Sequence, residues 1–119
     1  MPKILSNTIQ AHIFAFKEND AEPFFLLLQR SENTKPFPHI WQVITGMIDI
    51  NETAIEATLR EIKEETNLSA INIWTIPYIS NYFITENDEI HFSPVFGIQV
   101  NYAEQIQISF EHQDYKWCR

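Results

Sequence analysis

The sequence has little glycine and cysteine, few basic residues and no long apolar run. Its single cysteine, Cys118, excludes a disulfide within the chain, which is typical of a reducing compartment. Eight Lys and Arg residues against sixteen Asp and Glu residues give a formal net charge of -8. No basic patch of a duplex nucleic-acid binder is visible, and no apolar stretch is long enough to span a membrane. We therefore expect a cytoplasmic protein with neither duplex nucleic acid nor a membrane as partner.

The two glycines, Gly46 and Gly97, are so few that we expect a backbone reason for each. Apolar residues form 45% of the chain, which is enough for a hydrophobic core, and the length predicts one domain over 1–119. The four histidines show no zinc-binding spacing, so core or surface roles are expected for them: His12, His39, His91 and His112.

Hydrophobic patterns predict three strands in the first part of the chain. Residues 8–17 alternate between apolar and other positions, as a half-buried strand does. The run FFLLLQR at 24–30 is continuously apolar, which predicts a central strand buried on both faces. WQVITG at 41–46 is a short β-rich run that ends in glycine.

A helix is predicted to follow Thr53, which has Glu56 three residues later in a capping-box pattern. Asn67 is expected to end the helix in a left-handed conformation. Four residues recur at helical spacing and are expected to face the core: Ile55, Leu59, Ile62 and Thr66. Residues 71–85 and 90–100 then predict two strands around an acidic turn, and a short piece near the C-terminus predicts a third.

The stretch LREIKEETNL at 59–68 concentrates negative charge on one side of this helix. Glu61, Glu64 and Glu65 repel one another at these spacings. Small residues lie beside them and leave room for a ligand: Ala54, Ala57 and Thr58. Hard divalent cations such as Mg²⁺ take carboxylate oxygens, and Arg60 is placed to clamp one carboxylate. The alternative is a solvated helix face with ordinary ion pairs between neighbouring turns.

The spacing around this cluster resembles the Nudix box, G-x5-E-x7-R-E-U-x-E-E-x-G-U, where U is aliphatic. Eight of its nine defined positions match between Gly46 and Leu68, and the exception is Asn67 in place of glycine. Asparagine tolerates the left-handed conformation that this position needs, as Asn51 does before Glu52. The resemblance implies an α+β fold, an α/β/α sandwich in which the loop and helix of the box pack on a mixed β-sheet.

The resemblance also implies the roles of the site residues. Mg²⁺ or Mn²⁺ would be held by side chains and by a backbone carbonyl from five residues: Glu61, Glu64, Glu65, Gly46 and Thr45. Catalysis would rest on four residues, Glu64, Glu65, Glu111 and Arg60, with Arg60 orienting a glutamate. Glu52 would brace the turn between loop and helix. The cation would neutralise phosphate oxygens and activate water for attack on phosphorus.

Two flanking stretches refine the resemblance. WQVITG is similar to a run in dihydroneopterin triphosphate pyrophosphatases, and EHQDYKW at 111–117 is similar to a tail found in those enzymes and in diadenosine tetraphosphate hydrolases. The tail makes Glu111 a candidate general base, or else a surface glutamate. Substrate contacts are expected among four residues, Trp41, Arg30, Lys35 and Phe83, and Tyr82 and Phe37 also lie near expected pocket edges. Core packing or solvation is the alternative for each of them.

The expected function is hydrolysis of a phosphoanhydride bond in a small nucleoside triphosphate-like substrate, dihydroneopterin triphosphate being one example. Two alternatives remain open: hydrolysis of dinucleoside polyphosphates, and nucleotide binding without catalysis. Members of the family usually continue into a C-terminal helix that packs on the sheet, and that helix is missing here. Either the chain is cut short, or the exposed sheet face is covered in another way, such as in a homodimer.

Overall fold

The computed structural model describes residues 1–35 and 37–119. These residues form strands and one helix in the order β1 (Lys3–Leu5), β2 (Thr8–Ala15), β3 (Phe24–Arg30), β4 (Trp41–Gln42), β5 (Ile44–Met47), α1 (Ala54–Thr66), β6 (Asn72–Ile84), β7 (Glu89–Gln99) and β8 (His112–Cys118). The predicted helix and strands are confirmed, apart from small shifts of their ends and the division of 41–46 into β4 and β5. In the described ranges no helix is long and apolar enough to cross a membrane.

The strands form one mixed sheet with the order β1-β7-β2-β3-β4, and β5, β6 and β8 pair with β2, β7 and β3. Strand β7 runs parallel to both β1 and β2, and the remaining pairs are antiparallel. Strand β5 pairs with β2 from Thr8↔Met47 to Ala11↔Ile44, which fixes the segment just before the helix. The mixed sheet with the helix packed on it confirms the predicted fold class.

The core lies between α1 and one face of the sheet. Alternate residues of β2 are buried there, as the sequence pattern predicted: Ile9, Ala11, Ile13 and Ala15. The connection after β7 closes the same side, because Val100 and Ile106 are buried in this cluster and Gln107 N donates to Thr66 O.

Two packing predictions were wrong at least in part. Strand β3 buries Leu26 and Leu28 on one face only, and Phe25 on the other face is 42% exposed. In α1, Ile55 and Leu59 are 44% and 41% exposed, while Ala57 and Thr58 are fully buried. The small residues therefore pack against the sheet and do not form the floor of a ligand site. The other two residues of the predicted stripe, Ile62 and Thr66, are buried as expected, so the buried face of α1 only partly coincides with the predicted one.

The predicted caps of α1 are confirmed. Thr53 accepts a hydrogen bond from Glu56 N, and the Glu56 carboxylate accepts one from Thr53 N, so the capping box is complete. Asn67 ends the helix with φ 62°, and Asn51 has φ 68°. Both asparagines therefore adopt the left-handed conformation that was expected for them.

Aromatic residues cluster on the sheet face opposite to α1. The ring of Phe14 lies 6.2 Å from that of Phe25 and 5.6 Å from that of Trp74, and Phe16 packs edge-on against it. Phe16, Phe25 and Trp74 are each at least 40% exposed. Part of this face is thus apolar and open to solvent.

Candidate metal centre

Gly46 lies directly beneath the first carboxylate of the cluster. A Cβ atom at Gly46 would lie 2.4 Å from Glu61 Cδ and 2.7 Å from Glu61 Oε1. Gly46 does not have a positive φ, so the backbone reason for this glycine is close approach. The pairing of β5 with β2 holds Gly46 opposite Ile9, and the helix then places Glu61 against it.

Arg60 connects the helix to the loop before it. Its guanidinium meets both oxygens of Glu52, at 2.8 and 2.9 Å, and donates to Met47 O at 2.8 Å. Its Nη1 atom also contacts Glu61 Oε1 at 2.9 Å and Glu64 Oε2 at 3.3 Å. These five hydrogen bonds match the five N–H donors of a guanidinium. Arg60 therefore has the geometry expected for a residue that orients the glutamates.

Glu52 braces the turn at the start of the helix. Its Oε1 atom accepts a hydrogen bond from Asp49 N at 2.9 Å, in addition to the bonds from Arg60. The hydrogen bond from Arg60, followed by that from Asp49 N, lowers the pKa of Glu52 from 4.5 to about 2. Glu52 is thus an anion that holds the loop and Arg60 together, which is the role the sequence suggested.

The surroundings of Glu61 disfavour its ionised form. Burial raises the pKa of Glu61, and the neighbouring Glu64 and Glu65 raise it further, while Arg60 acts in the opposite direction. The net shift is upward, so Arg60 does not offset burial together with the neighbouring carboxylates. Additional positive charge beside Glu61 would favour its ionised form.

Glu65 is the most enclosed of the three carboxylates and is 6% exposed. Ser109 Oγ donates to Glu65 Oε2 at 2.8 Å, and His112 Nδ1 lies 2.9 Å from the same oxygen. Burial acts to raise the pKa of Glu65, but the contacts from His112 and Ser109 outweigh it and leave this pKa below its ordinary value. Sequence reasoning assigned no site role to Ser109 or His112. The signal was present for His112, because it follows Glu111 within the similar tail.

The donor set fits a hard divalent cation. In the ranges 1–35 and 37–119 no three His, Cys, Asp or Glu side chains already converge as a metal cage. Two carboxylate oxygens, from Glu61 and Glu64, do meet a single cationic nitrogen, Arg60 Nη1. Carboxylate oxygens of this kind are the ligands that Mg²⁺ prefers. The chemistry of the donors and their shared cationic partner are therefore compatible with the predicted site.

A cleft of about 290 Å³ adjoins this centre at Gly46. It lies among β2, β5, β6 and β7 and is lined by Thr8, Ile9, Gln10, Thr45, Gly46, Met47, Ser80, Tyr82 and Ser93. Its volume is near the lower end of the roughly 300–1,000 Å³ typical of small-molecule sites. Thr8 and Ser93 share a hydrogen bond between their hydroxyl groups, and the Tyr82 ring stacks on His91.

The residues predicted to contact substrate do not line this cleft. Trp41 lies on β4 with Lys116 Nζ 4.2 Å above its ring, which occupies one ring face. Lys35 is exposed, Phe83 is 52% exposed, and Arg30 ends β3 beside the bulge. Tyr82, which the sequence placed near a pocket edge, does line the cleft.

The backbone of Glu111 is linked to the carboxylate cluster by a hydrogen bond to Ser109, which contacts Glu65. The Glu111 N–H donates to Ser109 Oγ at 3.3 Å, and its carbonyl accepts from Ser31 N at 3.0 Å. Its side chain is exposed. The chain therefore brings Glu111 near Glu65 through Ser109, and its role as a base stays a prediction.

Known proteins similar to this chain include two curated hydrolases. A Bis(5'-nucleosyl)-tetraphosphatase [asymmetrical] of Caenorhabditis elegans is 32% identical over 95 residues, which cover 79% of this chain and 66% of that protein. The chain thus spans slightly less than two thirds of that relative's length. The nucleoside triphosphatase NudI of Salmonella arizonae is 31% identical over 102 residues, which cover 80% of this chain and 72% of that protein.

Solved structures with the same fold include two of comparable identity. A C. elegans Ap4A hydrolase binary complex has a TM-score of 0.73 and 26% identity, covering 96% of this chain and 79% of that chain. The E. coli dihydroneopterin triphosphate pyrophosphohydrolase has a TM-score of 0.69 and 25% identity, covering 93% and 78%. The family model of the NUDIX domain matches residues 7–119. The chain therefore belongs to the NUDIX domain family.

Proposed function

We propose that this chain is a divalent-metal-dependent pyrophosphohydrolase that cleaves a phosphoanhydride bond in a nucleoside triphosphate-like substrate. The observation that carries this proposal is the convergence of Glu61 and Glu64 on one cationic nitrogen, next to a glycine that also borders a cleft. The names of the similar proteins, a nucleoside triphosphatase among them, support the same reaction class. In this proposal residues 1–119 form one domain, and the protein is cytoplasmic.

The roles of the chain's own groups follow from their positions. Glu61, Glu64 and Glu65, with a carbonyl of Thr45 or Gly46, hold Mg²⁺ or Mn²⁺. When bound, the cation neutralises phosphate oxygens and orients the phosphoryl group. Arg60 keeps Glu61 and Glu64 side by side, and Glu52 holds Arg60. The cleft next to Gly46 receives the part of the substrate that is not phosphate.

The hydrolysis step needs a base for the attacking water. A base must reach the water by a hydrogen bond of about 2.6–3.2 Å. The Oε2 atom of Glu65 already contacts Ser109 and His112. Glu65 is therefore better suited to ligating the cation than to accepting a proton from water. Glu64, whose side chain is 55% exposed, and the exposed Glu111 are the two candidates that accept the proton.

Dinucleoside tetraphosphate hydrolysis is the second candidate function. It is favoured by the named C. elegans relative and by the structural similarity to an Ap4A hydrolase. The two candidate functions share the metal centre. They differ in the substrate-binding surface around it, because a dinucleotide carries a second nucleoside that also needs a place to bind.

A substrate panel tests both proposals. Nucleoside triphosphates, dihydroneopterin triphosphate and diadenosine tetraphosphate are incubated with the chain, with Mg²⁺ and with EDTA, and products are resolved by chromatography. We expect Mg²⁺-dependent turnover that is lost in Glu64→Gln and retained in Glu86→Gln, an exposed glutamate in the β6–β7 turn. Binding of nucleotide and Mg²⁺ without turnover of any substrate would instead support a binding domain.

A further inference from the structure

His112 and Ser109 form a pair of side chains that approach Glu65 from outside the helix. Both belong to the segment that enters β8, and both contact Oε2 of Glu65, at 2.9 and 2.8 Å. The ring of His112 is 8% exposed. Its Nδ1 atom is buried and has no aligned hydrogen bond in the part of the chain that the structure describes, and the Glu65 carboxylate lies within ion-pair distance of it.

The other side of the His112 ring is held by Gln42. The Gln42 Nε2 atom lies 3.2 Å from His112 Nε2. With the Gln42 amide nitrogen as the donor to Nε2, a neutral His112 ring carries its proton on Nδ1. Nδ1 is the ring nitrogen that lies 2.9 Å from Glu65 Oε2. This orientation of Gln42 favours the tautomer whose proton lies on the nitrogen beside the carboxylate.

Backbone contacts hold the segment 109–112 against β3 and close a turn within it. His112 pairs with Arg30 at the bulge between Gln29 and Arg30, and His112 N donates to Ser109 O at 3.2 Å. Glu65 lies on the helix, which is anchored separately at Gly46. The contact at Glu65 is therefore where helix and tail meet in the candidate metal centre.

We propose that His112 and Ser109 are positioning residues that hold Glu65 through contacts with its Oε2 atom and so leave Oε1 free to ligate a cation. This inference rests on the proposed function of Glu65 as a metal ligand. Carboxylates that ligate metals are commonly held by such outer partners, and loss of a partner typically costs about 10- to 100-fold in metal affinity or activity. Neither residue touches the substrate in this proposal.

The tautomer is tested first, on the metal-free wild-type chain. Long-range ¹H–¹⁵N spectra of the histidine ring report which nitrogen carries the proton. We expect His112 to be protonated at Nδ1, and protonation at Nε2 alone would overturn the inference. This measurement needs neither cation nor substrate, so it stands even if the proposed hydrolase activity is not found.

Metal binding is tested next with Mn²⁺, titrated by electron paramagnetic resonance without substrate. His112→Asn keeps a donor near the Nδ1 position and should stay within about threefold of wild type. His112→Leu removes it and should bind Mn²⁺ roughly 10- to 100-fold more weakly. With substrate, kcat should fall in the same order while KM changes little. Equal Mn²⁺ affinity in folded His112→Leu and wild type would overturn the inference.

Ser109→Ala protects the test against misfolding of His112→Leu. Ser109 is partly exposed, so this variant is expected to fold. Several-fold weaker Mn²⁺ binding supports the inference, and unchanged affinity overturns the role of Ser109. Wild-type protein that binds no Mn²⁺ at all would count against the proposed function, whereas an unprotonated Nδ1 would count against the positioning role.

Discussion

Gly46 shows how one residue without a side chain determines where a functional group lies. Glu61 Cγ, Cδ and Oε1 occupy the space that a Cβ atom would need. Those atoms belong to the flexible end of a side chain, so an added methyl group would move the carboxylate before it moved the backbone. The position therefore constrains the candidate site more than the fold.

Gly46→Ala is expected to weaken Mn²⁺ binding by roughly tenfold or more, because it displaces a ligand. The change in the free energy of unfolding should remain below the roughly 1–3 kcal/mol of an overpacked core. Mn²⁺ titration and urea unfolding measure the two effects. Gly97→Ala is the matched control, since its Cβ would meet Ile76 at an ordinary 3.7 Å. Equal Mn²⁺ affinity in both variants would contradict this account.

The lowered pKa of Glu52 predicts that the stability of the folded chain depends on pH in the acid range. The pKa of Glu52 is 4.5 ordinarily and about 2 in the folded chain, owing first to the hydrogen bond from Arg60. The stabilising contribution is therefore complete above pH 4.5 and is lost as the pH falls towards 2. Urea unfolding between these pH values should show a steeper loss of stability for wild type than for Glu52→Gln. Parallel curves for the two proteins would rule out this linkage.

Helix α1 illustrates which element properties follow from local sequence. Its start at Thr53 and its stop at Asn67 depend on capping bonds within a few residues, so they were predictable. Apolar periodicity located only part of its buried face, because Ile62 and Thr66 are buried as predicted but Ile55 and Leu59 are exposed. The side chains across the interface decide the rotation of the helix, and they come from strands distant in sequence.

The C-cap of α1 gives a prediction at the scale of the element. Asn67 has φ 62°, a conformation that costs most L-residues about 1–2 kcal/mol. Asn67→Ala should therefore lower the free energy of unfolding by about 1 kcal/mol, and Asn67→Gly should preserve or slightly raise it. Urea unfolding of the two variants and wild type provides the comparison. If alanine were tolerated as well as glycine, the left-handed cap would not limit the stability of the helix.

Charge balance is a property of the whole molecule. The net charge of -8 and the grouping of Glu64 and Glu65 beside the partly buried Glu61 both favour binding of cations. An ion that binds only the folded chain stabilises it, by about 2.7 kcal/mol at a concentration 100 times its Kd. Cation binding at the carboxylate cluster should therefore be visible in the stability of the entire domain.

Millimolar Mg²⁺ is expected to raise the midpoint of thermal unfolding, and EDTA should reverse the shift. Differential scanning calorimetry measures it in wild type, in Glu64→Gln and in Glu86→Gln. The shift should be smaller in Glu64→Gln and unchanged in Glu86→Gln, which alters the same charge at a distant exposed position. An equal shift in all three proteins would indicate general screening of charge and not a site.

The open aromatic face also belongs to the whole molecule. Phe16, Phe25 and Trp74 are exposed on the side opposite to α1, which is the surface expected to be covered by another element or by a second copy. The homodimer therefore stays a prediction, and sedimentation across a range of protein concentrations would decide it.

The sequence by itself determined the family pattern, the helix with its caps, most strands and the grouping of three glutamates, because each depends on spacing along a short segment. Only the tertiary structure decided that Glu61 rests on Gly46, that the Glu65 carboxylate meets Ser109 and His112, and that the cleft is lined by Tyr82 and not by Trp41. These contacts join residues that are 15 to more than 40 positions apart in the chain. Local periodicity carries no information about such pairs, because strand pairing and helix packing bring them together.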